Sequence, residues 1–234
     1  VGEDPASTPR VIPRGPINDR RRIREQDEGR GEAAVAHYIY LVRHGEQQDA
    51  EHGMEDGPLS PRGRRQAELI ADRLSGIPFD AVWHSPLVRA TDTARIIAER
   101  MPAVEPQPHA LLFDCVPSGM TEETPAVFEP FFGGVTEAQL EAGKAQMADA
   151  VGEFLVRKQG DVHELLITHN FVISWFVREV LEAPEWRWMT LNQANCGLTV
   201  IGQRQGRPWT LLTHNDQAHL PVELRTGLPE PFPF

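Results

Sequence analysis

The sequence predicts a three-layer α/β/α sandwich with a mostly parallel central sheet and an antiparallel edge. Three observations carry this. Short apolar runs rich in β-branched and aromatic residues alternate with stretches that are apolar at helical spacing. A chain of 234 residues fits one large α/β domain or two small ones, and can bury a sizeable core. The last two strand-like runs, 197–202 and 208–213, are joined by a short turn and therefore pair as edge strands.

The elements follow in order from residue 36. Tyr38 to Val42 is a short apolar run that reads as a buried strand. Ser60-Pro61 reads as an N-cap followed by proline at the first helical position. Ala67, Ile70, Ala71 and Leu74 then recur at helical spacing, and Gly76 with Pro78 closes the helix. Phe79 to His84 reads as a second strand, and Ser85-Pro86 as a second cap signature. Leu87, Ala90, Ala94, Ile97 and Ala98 form the next apolar stripe. A third strand is predicted over Ala110 to Phe113.

Residues 115–135 break the rhythm with Pro117, Pro125, Pro130 and Gly133-Gly134. This long insertion carries Phe128, Phe131 and Phe132 and reads as a binding loop or as a loop packed on the body. A long helix then places Leu140, Met147, Val151, Phe154 and Leu155 on one face. Glu164 to Thr168 is the fourth strand, followed by His169, Asn170 and a mostly apolar helix from Phe171 to Leu181. Residues 1–35 hold four prolines and seven arginines interleaved with seven acids, and are expected to be a disordered tail ahead of a domain spanning 36–234.

Composition narrows the function. The net charge of −11 argues against general nucleic-acid binding, which needs a basic face. No run is long enough to span a bilayer, and the first residues lack a signal-peptide pattern. Cys115 and Cys196 give neither a disulfide framework nor a cysteine zinc site, so a cytoplasmic setting is expected. His52, His84, His109 and His163 are scattered and show no metal-ligand spacing.

The chemistry gathers at strand ends. Arg43-His44-Gly45 ends strand one, Arg89 lies in the first turn of the helix after strand two, Asp114 follows strand three, and His169 ends strand four. In a parallel sheet these meet outside the carboxyl ends of the strands, where α/β proteins bind ligands. A neutral imidazole is a competent nucleophile near pH 7. Arginine forks suit phosphoryl oxygens. A carboxyl group can protonate a leaving alkoxide. His169, if cationic, adds a donor, and Asn170 can cap the helix that follows. No metal or cofactor is needed for such a reaction.

Four stretches carry a resemblance. They are Leu41-Val42-Arg43-His44-Gly45-Glu46, Leu59-Ser60-Pro61-Arg62-Gly63 with Gln66-Ala67, Ser85-Pro86-Leu87-Val88-Arg89-Ala90 with Thr93-Ala94, and Ile167-Thr168-His169-Asn170. In this order the chain resembles the phosphoglycerate-mutase-like branch of the histidine phosphatase superfamily over roughly residues 37–213. The resemblance implies His44 as the phosphorylated nucleophile, with Arg43, Arg89 and His169 as the phosphate pocket. It implies an acid after the third strand, usually glutamate, and Asp114 stands at that position. Glu122 and Glu123 in the insertion are the fallback acids.

Two departures bear on the activity. Where the family often has Thr or Ser and then Asn, this chain has Gln47, Gln48 and Asp49, which leaves Gln48 as a candidate phosphate contact beside Asn170. The longer surroundings of glycolytic mutases are absent, which favours a phosphatase over a mutase. Residues 115–125, Leu191-Asn192-Gln193 and His214-Asn215 are more loosely similar to the protein Ser/Thr phosphatase members. The expected substrate is therefore a phosphorylated small molecule or a phosphoprotein, with no nucleic-acid or membrane partner. Homo-oligomerisation stays open. A non-catalytic phosphate-binding module, a phosphoglycerate-mutase-type transferase and a metallohydrolase are the competing readings.

Overall fold

The computed structural model describes residues 36–49 and 56–229, so the expected disordered tail at 1–35 and His52 lie outside the described residues. Strand β1 (Ala36–Arg43) forms the middle of a six-stranded sheet. Its other members are β2 (Ala81–His84), β3 (Gln107–Pro108), β4 (Val162–Thr168), β5 (Leu198–Arg204) and β6 (Thr210–Asp216). The spatial order is β3-β2-β4-β1-β5-β6. β1, β2, β3 and β4 run parallel; β5 pairs antiparallel with both β1 and β6. The expected antiparallel edge is therefore β5 and β6, turning at Gly206 with φ of +71°.

Side-chain alternation along the central strands builds two cores. Val42, Leu165 and Ile167 face α1 (Pro61–Leu74) and α2 (Val88–Ala98), meeting Ala67, Ile70, Leu74, Ala90, Ala94 and Ile97. Ile39, Leu41 and Leu166 face the opposite way. They meet Met147, Ala150 and Phe154 of α4 (Glu137–Phe154) and Val172, Ile173 and Phe176 of α5 (Asn170–Val180). Helices thus cover both faces of the sheet, as the sandwich requires. Among the described residues no helix is long and apolar enough to cross a membrane.

Caps mark the helix starts. The Ser60 hydroxyl accepts from the Gly63 amide at 2.9 Å, with Pro61 at the first position of α1. Thr136 and Gln139 make a reciprocal capping box on α4. The other two expected caps differ. Leu87, not Ser85, precedes α2, because the Ser85 hydroxyl is taken by His169 at 2.8 Å. His169 holds the cap position of α5, and the Asn170 side chain turns away to Asn192 and the Gln193 amide.

The third strand is also displaced. Only Gln107–Pro108 pairs with β2, and Ala110–Leu112 is a 3₁₀ turn. Side chains satisfy its carbonyls in place of a ladder. Gln146 Nε2 donates to Leu111 O and Phe113 O at 3.2 and 2.8 Å, and the Thr168 hydroxyl donates to Leu112 O at 2.7 Å. The insertion is partly helical, with a 3₁₀ turn at Ala126–Phe128 and α3 (Glu129–Phe132). Its phenylalanines pack on the body: Phe131 meets Phe171 and Trp188 edge-on, and Phe128 meets Trp186.

At the far end of β4 from the helix caps, Glu164 is 1% exposed and accepts from His37, Lys158 and Trp83. Burial alone would raise its pKa; these donors outweigh burial and hold it at about 2. A carboxyl group depressed in the folded state stabilises above its unfolded pKa and loses that contribution as pH falls through the folded value. The wild type is therefore expected to lose about 3 kcal/mol of unfolding free energy through Glu164 between pH 4.5 and 2. Urea unfolding compared with Glu164→Gln checks this: the variant should lack that part of the acid dependence.

Candidate active site

The ladder register brings the strand ends level. Arg43 pairs with Thr168 across β1 and β4, and His84 pairs with Ile167 across β2 and β4. The ladder runs one step further, with the His44 amide on Thr168 O and the Ser85 amide on Ile167 O, both at 2.9 Å. His44, Ser85 and His169 therefore emerge side by side at the carboxyl edge of the sheet. The His44 and His169 rings lie 5.1 Å apart.

Two glycines seat the loop that carries His44. A Cβ on Gly45 would stand 2.5 Å from Gly63 O, and a Cβ on Gly63 would stand 2.1 Å from Glu46 O. Only hydrogen at both positions lets residues 44–46 lie on the first turn of α1. Polar bonds then fix the contact. Gln66 Oε1 accepts from the Glu46 amide at 2.9 Å, and the Ser60 hydroxyl donates to the Glu46 carboxylate at 2.7 Å. The Gly45 amide donates to the Thr93 hydroxyl at 3.0 Å, tying the loop to α2 as well.

The tautomer of His44 follows from its partners. Gly45 O can only accept, so His44 Nδ1, 2.7 Å away, carries the proton. Nε2 then offers its lone pair, which receives the Arg89 Nε–H at 3.1 Å. Burial, with Arg43 and Arg89 nearby, holds the imidazole well below its ordinary pKa. His169 is neutral for the same first reason, burial, reinforced by His44 and the two arginines. Its Nδ1 accepts from Arg89 at 3.3 Å and its Nε2 donates to Ser85 at 2.8 Å. Before a ligand enters, burial thus favours the neutral imidazole form of His169.

Arg89 is the hub. Besides the two imidazoles it reaches Asp114 at 3.0 Å and Asp56 at 3.4 Å. Asp56 also accepts from the Val88 amide through both oxygens at 3.0 Å, so one carboxylate holds the start of α2 and its arginine together. Asp114 keeps 40% of its side chain exposed to the cavity, while the protein around it raises its pKa against the pull of Arg89 and Arg43. Arg43 donates to Gln193 O and Gly227 O at 2.6 and 2.7 Å, and its Nε has no partner among the described residues. Burial lowers Arg43 to about 10, so it remains a cation at neutral pH.

Arg43, His44, Arg89 and Asp114 face a polar cavity of about 750 Å³, lined also by Gln48, Arg62, Asn195 and others, while His169 is buried and bonds to Arg89. Gln48 stands at its exposed rim. Asn170 does not line it; its side chain secures residues 192–193, which hold Arg43. Glu122 and Glu123 are exposed and line neither this cavity nor the smaller one beside Asp114. Gln193 and His214 bond to each other, so the two loosely similar segments meet behind Arg43. Sequence reasoning missed Asp56, Ser85 as the partner of His169, and Asn195, which donates to His44 O at 3.1 Å. Among the described residues no group of three or more His, Cys, Asp or Glu is placed to hold a metal.

Two cations, a neutral imidazole and an elevated carboxyl group around one cavity, with a second imidazole buried against Arg89, can receive a phosphoryl dianion and move a proton beside it. Comparisons with known proteins agree in kind. The profile of the histidine phosphatase superfamily (branch 1) matches residues 39–217. A mitochondrial Ser/Thr-protein phosphatase, Pgam5 of Caenorhabditis elegans, is 31% identical over 81% of this chain. The aligned region spans 66% of that relative's length, just under two thirds. A probable phosphoglycerate mutase, GpmB of Escherichia fergusonii, is 27% identical over 78% of this chain and 94% of its own. Among solved structures, a putative alpha-ribazole-5'-P phosphatase of Escherichia coli shares the fold with a TM-score of 0.63 at 21% identity, covering 78% of this chain and 97% of its own.

Because His44 and His169 are held neutral, neither should titrate near pH 6.5 in the free protein. ¹⁵N-detected imidazole spectra from pH 5.5 to 8 are expected to show His44 as the Nδ1–H tautomer throughout. A midpoint near 6.5 for His44 would contradict the arrangement.

Proposed function

The chain belongs to the histidine phosphatase superfamily, and from that membership we propose that it hydrolyses phosphomonoesters through a phosphohistidine on His44. Membership alone gives the coarser statement, a hydrolase or mutase acting on phosphomonoesters. The observation that carries the finer one is the His44 tautomer: Nδ1–H is spent on Gly45 O, which leaves the Nε2 lone pair at the floor of a cationic cavity.

The reaction has two displacements. The Nε2 lone pair attacks phosphorus as the ester P–O bond breaks. Asp114, protonated, gives its proton to the departing oxygen. Arg43 and Arg89 take the phosphoryl oxygens, and the Arg89 fork turns from Nε2 to the incoming group. His169 gains a proton more readily beside that dianion and becomes a further donor. Water then attacks the phosphohistidine, Asp114 takes its proton, and inorganic phosphate leaves with His44 restored. At a net charge of −11 the molecule as a whole repels phosphate, so the local cations must reverse the field at the cavity.

Hydrolysis of p-nitrophenyl phosphate, with chelator present, tests this. The wild type is expected to turn over, and His44→Ala to fall by about 10³-fold or more while its unfolding curve is unchanged. Wild-type turnover by His44→Ala would exclude the covalent route. Asp114→Asn separates the acid from the pocket: it should cost about 10²–10⁴-fold on alkyl phosphates and far less on p-nitrophenyl phosphate, whose phenolate needs little protonation. Equal losses on both would remove Asp114 as the acid.

A further inference from the structure

Asp114 lines two cavities. One is the polar cavity of His44 and the arginines; the other holds about 390 Å³ between the start of the insertion, α4 and Phe171. We propose that this second cavity receives the leaving group of the substrate, and that the group is an uncharged apolar alcohol or phenol. The inference rests on the hydrolase reading above and on Asp114 as its acid.

Phosphoryl displacement by His44 is in line. The leaving oxygen departs on the side of phosphorus opposite His44 Nε2. The acid must touch that oxygen, so the carbon body of the leaving group extends past Asp114. Asp114 is the residue the two linings share, so the space that a group extending past it would enter is the second cavity. Its size falls within the range of pockets that take small organic molecules.

Its chemistry selects the occupant. Cys115, Val116, Ala142 and Phe171 supply its apolar wall, Asp114, Gln139 and Gln146 its polar groups, and among the described residues no Lys, Arg or His lines it. Burial pushes the Cys115 thiol up to about 12, so it brings no charge. The Gln146 Nε2 hydrogens are already spent on Leu111 O and Phe113 O. A leaving group with its own carboxylate or second phosphate would meet Asp114 and no cation, which is unfavourable. An alkyl or aryl body would bury apolar surface instead. The cavity is also built by close packing: a Cβ on Gly143 would stand 2.0 Å from Val116 O, so only glycine lets α4 approach residue 116 this closely.

Alkylphosphonates test the assignment independently of turnover, because their C–P bond is not hydrolysed. Binding of methyl-, propyl- and hexylphosphonate to the whole chain is measured by calorimetry. Affinity is expected to rise about fourfold per methylene until the cavity is filled. An ω-carboxyalkylphosphonate as long as the hexyl compound is expected to bind at least tenfold more weakly than hexylphosphonate. Ala142→Trp, at an exposed position of α4, should fill the cavity and flatten the series. A flat series in the wild type, with methylphosphonate bound, would overturn the leaving-group assignment and leave the hydrolase reading standing. Tighter binding of the carboxylate would overturn the apolar preference. No binding of any member would overturn the phosphate pocket itself, and this inference with it.

Discussion

The Arg89 guanidinium is the contact on which the site depends. It is buried, and it bonds to both imidazoles and to two carboxylates from separate parts of the chain. A buried cation of this kind persists only when its partners satisfy it. Asp56 supplies countercharge and Asp114 a further acceptor oxygen, so the imidazoles beside it need not carry charge. They remain neutral, which is the state a nitrogen nucleophile requires. The same donors that occupy the His44 lone pair at rest are the donors a phosphoryl group would need, so entry of substrate exchanges partners without leaving a buried charge bare.

Everything else in the fold serves to hold that guanidinium and its imidazoles in register. The β1–β4 ladder sets His44 and His169 side by side. The Gly45–Gly63 approach and the Gln66 and Thr93 bonds fix the turn after β1. Gln66 also donates to Leu224 O and the Thr226 hydroxyl, so the C-terminal segment that covers Arg43 through Gly227 is tied to the same helix. A loop, two helices and the C-terminal segment thus converge on one short stretch of chain, and rigidity there comes from many partners and no single strong bond.

Much of this was legible in the sequence because it is local. Arg43-His44-Gly45 follows five apolar residues, and the Ile167-Thr168-His169-Asn170 stretch repeats the design on the neighbouring parallel strand. Strand ends and cap residues announce themselves within a few positions. What stayed hidden is held by distant partners. Leu111 to Phe113 is apolar enough to read as a strand, but Gln146 and Thr168, far along the chain, bond its carbonyls and bend it toward Asp114. Ser85 carries a cap signature that His169 overrides. Asp56 sits in a polar run with nothing to mark it, 33 residues before the arginine it holds. Gln66 and Thr93 belong to recognisable motifs, yet their tasks appear only when the loop above them is seen.

Phosphoryl transfer through His44, as proposed, takes two in-line steps. Each step inverts configuration at phosphorus, so the pair retains it. Transfer of the phosphoryl group of a phosphomonoester made chiral with three oxygen isotopes to an acceptor alcohol in place of water reads this out without isolating an intermediate. Net retention in the product is the predicted result. Net inversion would mean a single displacement by the acceptor itself, with His44 as a bystander to the bond-breaking step, and would rule out the phosphohistidine.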